Sequence, residues 1–204
     1  MAGKWGADRR SGVALWKVLA SSYSFADRFV KLRTDTVLLP DGTVLEPYHV
    51  LEFCDWVCVI AIRSDGRLVL VEEYRHGAGR PMIEFPSGGV AEGDKDPLAA
   101  MRRELLEETG YSGGAWHSLG AFFGNSAQQS NRTHGFLALG VERSGVPQPG
   151  PGELLTVHEV PWREFAAEAY GGRVELNAGH MSCLFLLQRF VANSTDAAIR
   201  NLLK

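Results

Sequence analysis

The chain has 204 residues, 45% of them hydrophobic and 22% charged, with a net charge of −3. This length buries a full core without staples, as one domain or one domain with a small appendage. The mild negative charge excludes a nucleic-acid binder that works through a broad basic face. It leaves room for a small phosphorylated ligand, because a metal ion inverts the sign of a local site.

Met1–Arg10 is polar with no apolar h-region, and the most apolar stretch near the end, Met181–Leu187, is too short to cross a bilayer. The three cysteines, Cys54, Cys58 and Cys183, are odd in number and follow no framework spacing, which fits a reducing compartment. The expectation is a cytoplasmic protein with neither membrane nor nucleic-acid partner. Cys54 and Cys58 share strand parity and are expected on one face. They read as buried small hydrophobes rather than a metal pair, since no second Cys/His pair completes a four-ligand set.

In chain order, Val13–Ala20 with Tyr23–Phe25 reads as a first strand and Phe29–Leu39 as a second. Asp41–Gly42 is a two-residue hairpin signal before Thr43–His49. Residues 1–50 are therefore expected to form a small antiparallel layer and residues 51–204 the main domain. Asp55–Ile62 and Leu68–Tyr74 form a hairpin through Ser64–Asp65–Gly66, central to the main sheet. Pro81–Gly89 is a short strand entering a Gly-rich loop. Asp96 is a good N-cap, Pro97 a good first helical residue and Gly110 a good terminator, with Leu98, Met101 and Leu105 as the apolar stripe. Trp116–Phe123 and Thr133–Val141 read as strands. Gly145–Gly152, rich in Pro and Gly, is a mobile loop. Leu154–Val160 is a strand, and Pro161–Tyr170 and Gly179–Val191 are helices. Strands, helix, strands, helices is an α+β order, a mixed sheet flanked by helices.

Glu104, Glu107 and Glu108 stand at i, i+3 and i+4, so all three project from neighbouring positions of one helical face. Like charges at that spacing cost a helix roughly 0.2–0.5 kcal/mol per pair, and only Arg103 offsets them. A solvated face and a platform for a hard cation such as Mg²⁺ both remain open on this pattern alone. The glycines of Pro86-Ser87-Gly88-Gly89-Val90, just before the helix, allow close backbone approach to a ligand or metal.

Gly88-Gly89-Val90, followed by Arg103-Glu104-Leu105-Leu106-Glu107-Glu108-Thr109-Gly110-Tyr111, resembles the Nudix box, G-x5-E-x7-R-E-U-x-E-E-x-G-U. Counting back from Arg103, the first box acid falls on Lys95. Counting forward from Gly88, it falls on Asp94 with one residue inserted before the helix. The second register fits the loop Gly88–Asp94 residue by residue and is preferred. Leu32–Arg33, Leu39-Pro40-Asp41-Gly42, Tyr74–Arg75 and Glu84-Phe85-Pro86 extend the resemblance to the ADP-ribose pyrophosphatase and nucleoside diphosphate sugar hydrolase branch, over about residues 15 to 190.

The resemblance implies a Nudix α/β/α sandwich with a mixed sheet, preceded by a small β-layer that helps build a homodimer. It implies a Mg²⁺-dependent pyrophosphohydrolase, with Mn²⁺ as the alternative ion. The substrate is a small nucleoside diphosphate derivative, first of all ADP-ribose, yielding AMP and ribose 5-phosphate. Carried over by position, Glu104 and Glu108 ligate metal, Glu107 ligates or orients through water, the Gly88 carbonyl is a further ligand, and Arg103 holds a glutamate in place. Glu153 is the candidate general base or last ligand, swinging in on its loop. Arg75 and Arg80 are candidate phosphate clamps. Glu84 either contacts substrate or pairs with Arg75, and Asn131 lies in the polar stretch that could form a ligand rim. The alternatives are hydrolysis of another nucleotide sugar or a dinucleotide, and a non-catalytic nucleotide-binding regulator. Retention of Arg103, Glu104, Glu107 and Glu108 disfavours the regulator.

Overall fold

The structure is a computed structural model and describes residues 14–150 and 152–202. Val13, expected to open the first strand, and Pro151 in the Pro-rich loop lie outside the described residues. The chain divides into two compact units, one running to Phe53 and taking in Asn125–Ser130, the other holding the rest.

In the first unit, β1 (Lys17–Ala26), β2 (Lys31–Leu38) and β3 (Val44–Glu52) form an antiparallel meander. β2 starts later than its apolar pattern predicts. Asp27 Oδ1 accepts from the N–H groups of Phe29 and Val30, each at 2.8 Å, and closes a turn there. The second hairpin is wider than the expected two-residue loop. Leu38 pairs with Val44, and Leu39 to Thr43 form the connection, with Gly42 in the left-handed region at φ 88°. The inner face of β2 carries a buried charge, Asp35, which is offset by Arg33 and accepts from Ser21. Every residue of β1 is exposed, Val18, Leu19, Tyr23 and Phe25 among them.

The second unit contains β4 (Trp56–Arg63), β5 (Arg67–Arg75), β6 (Arg80–Glu84), β7 (Ser87–Gly89), α1 (Pro97–Thr109), β8 (Tyr111–Ser112), β9 (Ala115–Phe123), β10 (Arg132–Arg143), β11 (Thr156–Pro161), α2 (Trp162–Tyr170), α3 (Ala178–Asn193) and α4 (Ala197–Arg200). The sheet order is β11-β5-β4-β10-β8, with β6 added to β5, β7 to β4 and β9 to β10. The β4–β10 pair is parallel, and every other pair is antiparallel.

Alternation along β4 sets the layers. Val57, Val59 and Ala61 pack with Met101 and Leu105 of α1, while Cys58, Ile60 and Ile62 pack with Trp162 of α2 and Leu184 and Leu187 of α3. The sheet is therefore covered on both faces, which is the expected sandwich. A fully buried leucine such as Leu105 is worth about 2–5 kcal/mol against alanine.

Two features separate this unit from its sequence expectation. β4 and β5 pair only at Ala61–Val69 and Ile62–Leu68, then fork. β6 runs along β5 and β7 along β4, with Phe85–Pro86 crossing the fork, so the single strand expected over Pro81–Gly89 is two. Val59 donates to the Pro86 carbonyl at 3.0 Å at the crossing. The expectation for the cysteines also needs correction. Cys54 precedes β4 and is exposed, so strand parity does not apply to it, whereas Cys58 is buried. Among the described residues no helix is long and apolar enough to cross a membrane.

Candidate active site

α1 begins and ends where its sequence dictates. Asp96 accepts from Ala99 N at 2.8 Å, Pro97 fills the first position, and Gly110 closes the helix at φ 73°. Met101 and Leu105 anchor the apolar stripe in the core, with half-buried Leu98 packed against it. That orientation turns Glu104 and Glu108 toward β7.

Glu108 is only 5% exposed and accepts from Ser87 N at 3.1 Å. Burial pushes its carboxyl up to about 9, against the Ser87 hydrogen bond, and the charges of Glu104 and Glu153 push the same way. Glu104 lies against Gly88, where any added Cβ would overlap its carboxylate, with Oε2 at 2.6 Å. Burial raises its pKa as well, opposed by the adjacent Arg103 guanidinium. The absence of a Cβ at Gly88 is what lets the Glu104 carboxylate rest against the strand.

Arg103 organises the entrance. It contacts Asp94 at 2.9 Å, Glu104 at 2.9 Å, Glu107 at 2.9 Å and the Gly89 carbonyl at 3.2 Å. Its pKa is raised, by Asp94 first. Asp94 also accepts from Ala91 N at 2.8 Å, and its carboxyl is held below the usual range mainly by Arg103. Asp94 thus ties the Gly-rich loop to the helix, whereas Lys95 is exposed.

Arg75 on β5 is engaged by two acids. It pairs with Glu73 at 2.8 Å and with Glu84, which is 1% exposed and also accepts from Asn177 Nδ2 at 3.1 Å. The Arg75 pair, one of the readings open for Glu84, is formed. Glu153 is exposed and accepts from Gly150 N at 2.7 Å, yet its charge reaches Glu73, Glu104 and Glu108. Arg80 pairs with Glu175 at 2.5 Å in an exposed contact, and Asn131 is half-buried just before β10. His134 and His158 pair with Asp55 and Glu72, each at 2.9 Å, as structural histidines do. Sequence reasoning passed over Glu73, which sits two residues before Arg75 on the same face of β5. The strand's period of two was the available signal.

Electrostatically, Glu73, Glu84, Glu104, Glu107 and Glu153 outnumber Arg75 and Arg103, and Glu108 adds a further negative charge once its proton is lost. Desolvated carboxylates that outnumber their arginine partners are the environment a divalent ion relieves. Among the described residues no three His, Cys, Asp or Glu side chains close a metal cage by themselves. Two carboxylates beside the Ser87–Gly88 backbone fit a hard divalent ion that keeps several waters and takes its other ligands from phosphate.

The comparisons with known proteins agree with this geometry. Residues 54–177 match the NUDIX domain model, so the chain belongs to that family. Residues 16–51 match the nucleoside diphosphate sugar hydrolase N-terminal domain. The chain is 37% identical over 95 residues to "Methanol dehydrogenase activator" of Bacillus methanolicus, covering 47% of this chain and 50% of that one. It is 28% identical over 122 residues to "ADP-ribose pyrophosphatase" of Bacillus subtilis (strain 168), covering 60% and 65%. It is 28% identical over 144 residues to a protein of the same name from Mycobacterium tuberculosis, covering 70% and 69%. The matches thus span about half to two thirds of these relatives. The fold is shared with the structure titled "Crystal structure of ADP compounds hydrolase", at TM-score 0.75 and 19% identity over 88% of this chain and 96% of that one.

Proposed function

We propose that the chain hydrolyses the pyrophosphate bond of a nucleoside diphosphate derivative, with ADP-ribose as first candidate and AMP and ribose 5-phosphate as products. The observation that carries this reading is the pairing of buried Glu108 with Glu104 against the Ser87–Gly88 backbone. The names of the Bacillus subtilis and Mycobacterium tuberculosis relatives support the substrate class.

Glu104, Glu108 and the Gly88 carbonyl would hold Mg²⁺, or Mn²⁺ in its place. When bound, such an ion neutralises phosphate charge and makes the attacking water more acidic. Arg103 fixes Glu104 and Glu107 and keeps the loop seated through Asp94. Arg75, steadied by Glu73 and Glu84, would reach a phosphate oxygen by exchanging one of those contacts. Water attacks one phosphorus, the bridging P–O bond breaks, and Glu153 takes the water's proton. Two monophosphates leave. The exposed β1, with Val18, Leu19, Tyr23 and Phe25 open, supports a homodimer in which a second copy covers that strand. The odd cysteine count supports a cytoplasmic setting.

The test is a panel of nucleoside diphosphate derivatives incubated with Mg²⁺ and scored for released mononucleotide. Turnover of ADP-ribose, abolished in a folded Glu108→Gln variant, is the expected result. Full activity in that variant removes the metal assignment. A second reading, a nucleotide-binding regulator, draws on the name of the Bacillus methanolicus relative. Tight binding of one nucleotide with no turnover under Mg²⁺ or Mn²⁺ would favour it.

A further inference from the structure

A cavity of about 230 Å³ opens beside the carboxylate platform, bounded by β4, β7, the start of β10 and the first turn of α3. A single water occupies roughly 30 Å³ of liquid, so the cavity is sized for a ring rather than a lone solvent molecule.

Its polar wall divides into two kinds of group. Arg75 and Asn177 are fully engaged. Arg75 is paired with Glu73 and Glu84, and Asn177 donates to Glu84 and accepts from His180 N at 2.9 Å. Ser87 Oγ, Thr133 Oγ1 and the His180 ring, by contrast, have no hydrogen-bond partner among the described residues.

His180 is the most informative. It is 4% exposed, and its Nδ1 is buried without a partner. Burial pushes its imidazole down to about 4, with Glu84 opposing and Arg75 adding, so the ring is neutral. A buried polar atom left unpaired costs about 1–3 kcal/mol, and unpaired acceptors are tolerated better than unpaired N–H groups. The proton is therefore assigned to Nε2, which gives the ring one N–H to offer a ligand.

The remaining wall is Trp56, 40% exposed at the start of β4. The cavity thus offers one neutral N–H, two hydroxyls and an indole. Its charged groups are already paired, and no positive charge is left over for an anion. A sugar ring matches this set. Its C–H face packs on the indole, and its hydroxyls donate and accept as the wall requires. Ser87 joins cavity to platform, since its N–H holds Glu108 while its side chain lines the cavity.

We propose that this cavity seats the sugar ring on the far side of the pyrophosphate, with Ser87, Thr133 and His180 Nε2 bonding its hydroxyls and Trp56 covering its apolar face. The direction of the sugar rests on the hydrolase reading above, whereas the affinity of the cavity for a sugar does not.

Two measurements on the full chain test it, in the wild type and in Thr133→Val, which keeps the side-chain shape, with His180→Phe as a second variant. Saturation-transfer NMR with D-ribose should show transfer to the wild type and its loss in Thr133→Val. With Mg²⁺, the ratio of kcat/KM for a nucleoside diphosphate ribose over the methyl ester of the same nucleoside diphosphate should fall about tenfold, the worth of one such hydrogen bond. Absence of ribose transfer in the wild type, transfer unchanged in both variants, or transfer from adenosine in place of ribose overturns the assignment. So does a ratio that stays constant. Ribose transfer lost in Thr133→Val, with neither diphosphate hydrolysed by the wild type, upholds the sugar site and removes the hydrolase reading instead.

Discussion

The backbone N–H of Gln148 donates to the carbonyl of Glu107 across 2.7 Å. That carbonyl belongs to the last turn of α1, where helix acceptors have no partner within the helix. Ser144 N and Gly145 N, at 2.9 and 3.0 Å, cap the Gly110 carbonyl in the same way. The Pro- and Gly-rich loop is thus moored on the end of the helix whose carboxylates its own Glu153 approaches. Sequence composition predicts a mobile loop, but its first half is tied down, so Glu153 has a short, anchored tether.

Gly110 joins helix and loop, and its substitution should damage both. It sits at φ 73°, and an added Cβ would overlap the Gly145 carbonyl, which is backbone and cannot rotate away. The left-handed conformation alone costs a non-glycine residue about 1 kcal/mol. Gly110→Ala should therefore lower the Tm by several degrees and reduce kcat together. Glu153→Gln should leave the Tm unchanged while lowering kcat by about 10²–10⁴, the usual range for loss of a general base. Thermal melts beside steady-state kinetics separate the two. Equal kcat in Glu153→Gln and wild type would take the proton-accepting role from Glu153.

Gly88→Ala should do the reverse, sparing stability and harming chemistry. The group in the way is the Glu104 carboxylate, the far end of a flexible side chain, so the fold can accommodate the methyl by moving it. A displacement of about 1 Å at a reacting centre can cost about 10²-fold. The expected outcome is a Tm within a few degrees of wild type and kcat/KM reduced by about 10²-fold. A Gly88→Ala protein with wild-type kcat/KM would show that the position of Glu104 does not matter to the reaction.

The two registers of the Gly-rich loop make opposite predictions. Asp94 binds Arg103 and Ala91 N, whereas Lys95 is exposed. Groups that orient a metal ligand typically matter by about 10–100-fold in affinity or activity. Asp94→Ala should raise the Mg²⁺ concentration for half-maximal activity within that range, and Lys95→Ala should leave it unchanged. Metal titrations of the two variants decide between the registers. A larger effect at Lys95 than at Asp94 would reverse the assignment.

What sequence made legible follows from locality. α1 was delimited by Asp96, Pro97 and Gly110 because capping and left-handed termination are decided within a few residues. The spacing of Glu104 and Glu108 placed them on one face for the same reason. β7 and β8 have three and two residues and exist only through their partners, β4 and β10, so no periodicity announces them. Leu154 and Leu155 read as strand, yet β11 begins at Thr156, where pairing with Glu72 of β5 starts. The cavity lined by Trp56, Thr133 and His180 was the least legible feature. These three residues come from elements widely separated in the chain, and each taken alone reads as ordinary core or rim.

The last prediction follows from the protonation of Glu108. Folded and without metal, this carboxyl holds its proton up to about pH 9, against an ordinary glutamate value of 4.5, mainly because it is buried. Between those two values the folded chain binds more protons than the unfolded one, so the free energy of unfolding falls as pH rises. The stabilisation from this group is complete below about pH 4.5 and gone above about pH 9. Glu104, whose pKa is also raised by burial, adds in the same direction. In chelator, the Tm of the wild type should therefore decline from pH 5 to pH 9 more steeply than that of Glu108→Gln, which has no proton to lose. Adding Mg²⁺ should reverse the order at high pH, because an ion that binds only the folded state raises its stability and binds the carboxylate once the proton has left. Calorimetric titration at pH 7 in buffers of different ionisation heat should then show proton release on metal binding, smaller in Glu108→Gln. Identical pH slopes for the two proteins in chelator, with no proton released by either, would mean that Glu108 is already ionised and that its burial is relieved by something other than the metal.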